Sequence, residues 1–224
     1  SDIKTTISVK TEKLVSYGFL CIFVGIMLSV FQQAVGINAV LYYAPRIFQD
    51  MGMQNPMVQT VIMGVVNISF TLVAVFTVEK LGRKPLLIWG SIGMAAGAFG
   101  VALTFGNPSL GTLTMLSIMV YSASFMFSWG PIAWVLIAEL FPNTIRGAAV
   151  AIAVAFQWVF NFIVSSTFVP MFNMHLTPGD DFGHWFTYGL YGVICIIAAV
   201  FVFKLVPETK GKSLEDMSKL WRKE

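Results

Sequence analysis

Charge is scarce in this sequence. Asp, Glu, Lys and Arg make up 11% of the 224 residues, whereas soluble globular domains carry about 25%. Apolar residues make up 57% of the chain, and its mean hydropathy is +0.78. So few solvating groups exclude a soluble protein, and the high hydrophobicity excludes intrinsic disorder. Most of the chain must therefore face lipid.

Cysteine and histidine are also rare. Only Cys21 and Cys195 are present, both within apolar runs, which excludes a secreted domain held together by disulfides. We interpret both as buried free thiols. His175 and His184 fall in a polar stretch that we interpret as an exposed loop, and two histidines are too few for a metal site. We expect neither a metal nor a cofactor.

Long apolar runs predict six transmembrane helices. A bilayer core about 30 Å thick requires roughly 20 apolar residues per helix, and backbone groups left unpaired in hydrocarbon are costly. The predicted spans are 14–44, 57–79, 85–106, 111–140, 147–172 and 183–206. We therefore expect an all-α membrane protein with one transmembrane domain, 14–206, preceded by a polar segment, 1–13, and followed by a tail, 207–224.

The positions of the basic residues test this count. With six spans, both termini and every second loop lie on one side of the membrane. Thirteen of the 14 basic residues fall on that side, and Arg46 falls on the other. The thirteen are Lys4, Lys10, Lys13, Lys80, Arg83, Lys84, Arg146, Lys204, Lys210, Lys212, Lys219, Arg222 and Lys223. The positive-inside rule then predicts two cytoplasmic termini in a plasma membrane or bacterial inner membrane.

The C-terminal tail is predicted to form a short helix, and the distribution of the basic residues bears on possible partners. Ser213 and Asp216 form a helix-capping pattern, so the tail is predicted to contain a short helix at the cytoplasmic surface. The net charge is only +3, and the basic residues form short blocks between apolar stretches. This pattern argues against a nucleic-acid partner.

Uncharged amides lie within the predicted spans, whereas no Asp, Glu, Lys, Arg or His lies in their interiors. An embedded acid–base site is therefore not expected. The amides are Gln32, Gln33, Asn38, Asn67, Gln157 and Asn161. They could serve as hydrogen bonds between helices. As a set, they also suit a neutral ligand rich in hydroxyl groups, such as a sugar, because an amide both donates and accepts.

Two tryptophans and a glycine strengthen the interpretation of the amides as a sugar site. Trp134 and Trp158 lie well inside apolar runs, and an indole face can pack against the C–H side of a sugar ring. Anchoring at the membrane interface is the alternative role for both. Gly36 is predicted to break the first span, so that Gln33 and Asn38 can face one cavity.

A row of small residues along one face of the third span, Gly90, Gly93, Gly97 and Gly100, predicts that this helix packs closely against a neighbour.

Five stretches of the chain carry a resemblance to a known family. They are 32–38 with Tyr42 and Tyr43, then 79–84, 130–134, 139–147 and 207–211. In order and spacing they resemble the C-terminal six-helix half of the sugar porter family, within the major facilitator superfamily. Within that family, the chain resembles the bacterial xylose–proton symporters first and the animal glucose facilitators next. The resemblance implies half of a twelve-helix fold plus a short cytoplasmic C-terminal helix.

The resemblance also implies roles for particular residues. The sugar site of that family uses the positions that match Gln32, Gln33, Asn38, Tyr42, Asn67, Trp134, Gln157 and Trp158. A cytoplasmic charge network that latches the two halves together corresponds to Glu79, Arg83, Glu139 and Arg146. The implied partners are a monosaccharide, the lipid bilayer and an N-terminal six-helix half, which would also carry the proton-coupling groups.

The expected function is therefore that of one half of a sugar transporter. We expect proton-coupled symport of a pentose or hexose, xylose-like or glucose-like, by alternating access. A facilitative uniporter with the same fold is the first alternative, and a sugar sensor that does not transport is the second. An enzyme has the least support, since neither a nucleophile–base pair nor a cluster of metal ligands is visible.

Overall fold

A computed structural model describes residues 19–50, 54–177, 181–212 and 214–221. These residues form helices and connecting loops without a strand. The helices are α1 Phe19–Ala34, α2 Ile37–Tyr42, α3 Ala44–Asp50, α4 Pro56–Leu81, α5 Arg83–Thr104, α6 Gly111–Phe127, α7 Trp129–Leu140, α8 Arg146–Phe172, α9 Phe182–Leu205 and α10 Leu214–Trp221, with a 3-10 turn at Pro108–Leu110.

Six of these segments are long and apolar enough to cross a membrane, in agreement with the prediction. They are Phe19–Tyr42, Pro56–Leu81, Arg83–Thr104, Gly111–Leu140, Arg146–Phe172 and Phe182–Leu205. Observed and predicted ends differ by a few residues. The predicted polar segment 1–13 and the start of the first predicted span lie outside the described residues.

The first span is broken at Gly36, as the sequence predicts. Gly36 adopts φ 86°, a left-handed conformation that favours glycine. A Cβ added there would lie 2.5 Å from the ring of Tyr191. The break frees the carbonyl of Val35, which accepts a hydrogen bond from the Tyr121 hydroxyl. Side chains from two other spans therefore support the break between α1 and α2.

The glycine seam of α5 packs closely against α6, as predicted. A Cβ added to Gly93 or Gly100 would lie within 2.6 Å of a serine side chain of α6, and one on Gly90 would lie 1.8 Å from the Oγ of Ser128, which directly follows α6. A Cβ on Gly97 would lie 2.6 Å from the Tyr121 backbone nitrogen. The α5 helix also packs against α9, and α1 packs against α8. By contrast, the most apolar stretches of α4 and α8 are mostly exposed, with only 11% and 28% of their residues buried.

The tail contains the predicted short helix, α10. Met217 and Trp221 are buried, and the Trp221 indole donates to the carbonyl of Leu140 over 3.2 Å. The helix thus packs against the end of α7. Its predicted capping residue, Ser213, lies outside the described residues.

The prediction for the two cysteines is confirmed, whereas the prediction for His184 is wrong. Cys21 and Cys195 are free and buried, as predicted. His184 does not lie in an exposed loop, because it belongs to the first turn of α9. Its ring packs between those of Phe105 and Phe172, with centroid distances of 4.2 and 4.3 Å.

Candidate functional site

One cavity of about 530 Å³ collects most of the predicted site residues. Its walls come from α4, from α8 and from two spans that are each broken into two helices, α1–α2 and α6–α7. Seven of the eight predicted residues line it: Gln32, Gln33, Asn38, Tyr42, Trp134, Gln157 and Trp158. The other lining residues are Thr71, Phe125, Met126, Gly130, Pro131 and Asn161. Residues far apart in the chain, such as Gln32 and Gln157, thus meet because the breaks in α1–α2 and α6–α7 face α8.

Asn67, the eighth predicted residue, does not line this cavity. It lines an adjoining cavity of about 290 Å³, and its side-chain oxygen accepts a hydrogen bond from the Ser122 hydroxyl over 2.7 Å. Thr71, one helical turn further along α4, lines both cavities, and so does Met126. Asn67 therefore lies behind the wall that Thr71 forms.

The amide of Gln32 is tied to the break between α6 and α7. Its Nε2 donates to the carbonyls of Trp129 and Gly130, over 3.1 and 3.3 Å. Its Oε1 is buried and has no hydrogen-bond partner among the described residues, and the same is true of Gln157 Oε1. Buried acceptors without a partner are costly to a folded protein. Because Gln32 and Gln157 both line the cavity, a hydroxyl donated by a ligand would satisfy either oxygen.

The amide of Gln33 joins three helices. Its Oε1 accepts from Asn38 Nδ2 over 2.6 Å and from Asn161 Nδ2 over 2.9 Å. These bonds connect α1 with α2 across the Gly36 break and with α8 on the opposite side of the cavity. The sequence places Asn161 in the set of amides suited to a sugar, four residues after Gln157, although the resemblance did not name it as a site residue; it lines the cavity.

Three aromatic residues of the cavity are exposed, unlike Phe125 and the nearby Trp129. Trp134 and Trp158 are 44% and 61% exposed, and Tyr42 is 58% exposed. Trp129 is fully buried, and its indole donates to Ser91 Oγ over 2.7 Å and to the Leu87 carbonyl over 3.2 Å. Trp129 is therefore a packing residue, whereas the exposed rings are free to contact a ligand.

A cluster of charged residues lies at one end of the bundle, where α4 and α7 end and α5 begins. The Arg83 side chain is only 8% exposed. Its Nε and Nη2 bond to the two carboxylate oxygens of Glu139 over 3.1 and 2.9 Å, and Nη2 also bonds to Glu79 over 2.8 Å. Three of the four predicted latch residues therefore form one cluster.

The tail completes this charged cluster. The Thr209 hydroxyl donates to Glu139 over 2.6 Å. The Glu208 carboxylate accepts from the first two backbone N–H groups of α5, over 3.1 and 3.0 Å. A carboxylate at a helix N-terminus is stabilised by the helix dipole. The stretch 207–211 was noticed in the sequence, but no role was assigned to these two residues.

Arg146, the fourth predicted latch residue, lies apart from the cluster. Its Nε and Nη2 both donate to the carbonyl of Phe141, each over 3.2 Å. The turn between α7 and α8 directs the guanidinium back to the end of α7. Arg146 therefore holds this turn, and Arg83 is the cation that Glu139 binds.

Comparison with known proteins gives the family. The model of a family described as "Sugar (and other) transporter" matches residues 2–221. The chain belongs to this family. It is 48% identical over 214 residues to the D-xylose-proton symporter of Escherichia coli K12, covering 95% of this chain and 43% of that protein. It is 42% identical over 211 residues to the glucose facilitated diffusion protein of Zymomonas mobilis, covering 93% and 44%.

Solved structures agree with this assignment. A double-tryptophan mutant of XylE matches with a TM-score of 0.87 and 46% identity, over 98% of this chain and 46% of that one. The inward-open xylose transporter XylE from E. coli matches with a TM-score of 0.79 and 48% identity, over 91% and 42%. The chain thus spans less than half the length of these relatives and matches the C-terminal part of the symporter. It is an integral membrane protein with the fold of half a major facilitator transporter, and its family consists of transporters, not enzymes.

Proposed function

We propose that this chain is the C-terminal half of a transporter that carries a pentose or hexose, xylose-like or glucose-like, by alternating access. The observation that carries the proposal is the cavity of about 530 Å³, in which buried amides with unpaired oxygens lie beside exposed tryptophans. Its volume lies in the range of small-molecule sites, about 300–1,000 Å³. Uncharged donors and acceptors beside aromatic faces suit a neutral polyol with a C–H face.

Each wall of the cavity has a distinct role in this proposal. The amides of Gln32, Gln33, Asn38 and Gln157 hydrogen-bond the hydroxyl groups. Trp134 and Trp158 pack against the ring, and Tyr42 covers it from α2. Asn67 does not contact the sugar directly. It contributes by positioning α4, which carries Thr71 in the cavity wall. Such a site binds sugar without any charged group or metal.

The proposed partner is an N-terminal six-helix half. The largely uncovered faces of α4 and α8 and the relatives of about twice this length support it. The interiors of the spans of this chain lack Asp, Glu, Lys, Arg and His, so a carboxylate or basic group that carries a proton would have to come from the other half. The relatives include a xylose-proton symporter and a glucose facilitated diffusion protein, and facilitative uniport is therefore the second candidate.

The proposal also gives the charged cluster a place and a role. The positive-inside rule puts the end with Arg83 in the cytoplasm of a plasma or bacterial inner membrane, with both termini on that side. There, Glu79, Arg83 and Glu139 act as a latch that opens and closes as the transporter changes state. Arg146 supports the latch through the turn after Phe141.

Two substitutions test the site. In the chain joined to its N-terminal half, Gln32→Ala and Trp134→Ala are each expected to abolish detectable sugar binding without loss of expression. The first removes an acceptor and a tie to α7, and the second removes a ring face. Equilibrium binding of labelled xylose and glucose measures the effect. Trp89→Ala is the matched control, because Trp89 is 68% exposed on α5 and does not line the cavity. Unchanged affinity in both site variants would contradict the assignment.

A further inference from the structure

In the structure, the amide of Gln33 turns its oxygen toward two asparagines. Its side chain is buried, with the residue 5% exposed. A carbonyl oxygen has two lone pairs, and two donors, Asn38 Nδ2 and Asn161 Nδ2, already occupy those of Gln33 Oε1. Its acceptor capacity is therefore used within the protein. The polar group that Gln33 has left for a ligand in the cavity is its Nε2, which carries two N–H donors.

The neighbouring residue, Gln32, has the opposite end of its amide bonded within the protein. Gln32 uses its Nε2 on the carbonyls of Trp129 and Gly130 and keeps a buried Oε1 without a partner among the described residues. Gln157 also keeps an unpaired Oε1. Two adjacent residues of the same type thus offer opposite hydrogen-bonding groups, a donor from Gln33 and an acceptor from Gln32.

We propose that Asn161 is a positioning residue that sets this polarity, so that Gln33 only donates to the substrate. The inference rests on the proposed sugar site and goes beyond it by specifying the direction of individual hydrogen bonds. Asn38 is close to Gln33 in the chain, whereas Asn161 reaches Gln33 from α8. Asn161 therefore ties the orientation of the amide to the packing of α1 against α8.

The consequence for a substrate is a selective tolerance of fluorine. Fluorine on carbon accepts hydrogen bonds weakly and never donates, so it can replace a hydroxyl that only accepts from the protein. The hydroxyl facing Gln33 is such a group. The hydroxyl facing Gln32 or Gln157 must donate, and fluorine there leaves a buried oxygen unpaired. One ring position should tolerate fluorine, and the others should not.

The test is competition binding to the chain joined to its N-terminal half. The probes are the monodeoxy and monofluoro analogues of whichever of xylose and glucose binds. For the unaltered protein we expect one position at which the fluoro analogue binds within about threefold of the parent sugar while the deoxy analogue binds about tenfold more weakly. Gln33→Ala should remove the difference between fluoro and deoxy analogues at that position, which assigns it to Gln33.

The deciding variant is Asn161→Asp. A carboxylate only accepts, so Gln33 must turn its Nε2 toward it and present Oε1 to the cavity. The Kd ratio of fluoro analogue to parent at the Gln33 position should then rise about tenfold, with the ratios at other positions unchanged. Asn161→Leu, which removes both groups at similar volume, should raise that ratio less. Ratios within one variant cancel any general loss of affinity or of folded protein.

Three outcomes are distinguishable from the expected one. Equal ratios in Asn161→Asp and the unaltered protein would overturn the positioning role. A fluorine intolerance at the Gln33 position of the unaltered protein that Asn161→Asp relieves would show Gln33 Nε2 donating to both asparagines, which also overturns it. If no sugar binds, or Gln33→Ala leaves every affinity unchanged, the proposed function itself fails.

Discussion

Gly97→Ala is expected to destabilise the helix bundle by about 3 kcal/mol, the upper end of the range for overpacking a well-packed interior. The added Cβ would lie 2.6 Å from the backbone nitrogen of Tyr121 and 2.8 Å from the carbonyl oxygen of Ser117. Backbone atoms cannot rotate away as a side chain can. The methyl group must therefore push α5 and α6 apart along a seam where three other glycines also contact α6.

Gly64→Ala is the matched control for this substitution. Gly64 lies within α4, and a Cβ there would meet no heavy atom within 4 Å. Alanine favours the helix over glycine by up to about 1 kcal/mol, so this variant should be neutral or more stable. Thermal unfolding of the purified protein in detergent, followed by circular dichroism, should show a midpoint lower by roughly 6–12 °C for Gly97→Ala. Equal midpoints for the two variants would refute the tight seam.

The sequence predicts the six spans and the glycine seam because the bilayer imposes strong and simple rules. A helix must be about 20 apolar residues long, and basic residues collect on one side. Close packing of two helices requires small residues on one face, and the spacing of Gly90, Gly93, Gly97 and Gly100 supplies them. None of these inferences depends on the position of a distant side chain.

Predictions that depend on three-dimensional packing were less complete. Asn67 and Thr71 lie on one face of α4, one turn apart, and periodicity alone does not say which of them reaches the cavity. Thr71 lines it, and Asn67 bonds to Ser122 behind it. The roles of Asn161 and Thr209 depend on partners 128 and 70 positions away in the chain. Only the packing of the helices brings such pairs together.

The partner of Arg146 shows a second limit. Charge alone pairs Arg146 with Glu139, seven residues earlier in the same motif. The structure instead gives Glu139 to Arg83 and directs Arg146 to the Phe141 carbonyl. The path of the turn between α7 and α8 decides this. A residue's charge therefore predicts the end of the bundle where it lies more reliably than it predicts its partner.

Glu139→Gln is expected to be far more destabilising than Glu79→Gln, although both substitutions remove one carboxylate from the same arginine. Glu139 binds Arg83 through two hydrogen bonds and is 31% exposed, whereas Glu79 makes one bond and is 72% exposed. Loss of Glu139 leaves a buried guanidinium with one exposed partner and should cost about 3 kcal/mol, the lower end of the range for breaking a buried pair. Loss of Glu79 should cost at most about 0.5 kcal/mol, as for other exposed pairs four residues apart in a helix.

A double-mutant cycle separates the pair from its surroundings. Arg83→Met keeps an aliphatic side chain in the buried position and removes the charge. If the main cost of Glu139→Gln is an unpaired buried cation, the same substitution should cost much less in the Arg83→Met background, with a coupling of about 1–3 kcal/mol. The coupling of Arg83 with Glu79 should be close to zero. Both are measured from unfolding midpoints in detergent. Equal coupling for the two carboxylates would mean that burial does not distinguish them, and Glu139 would lose its place as the main partner in the proposed latch.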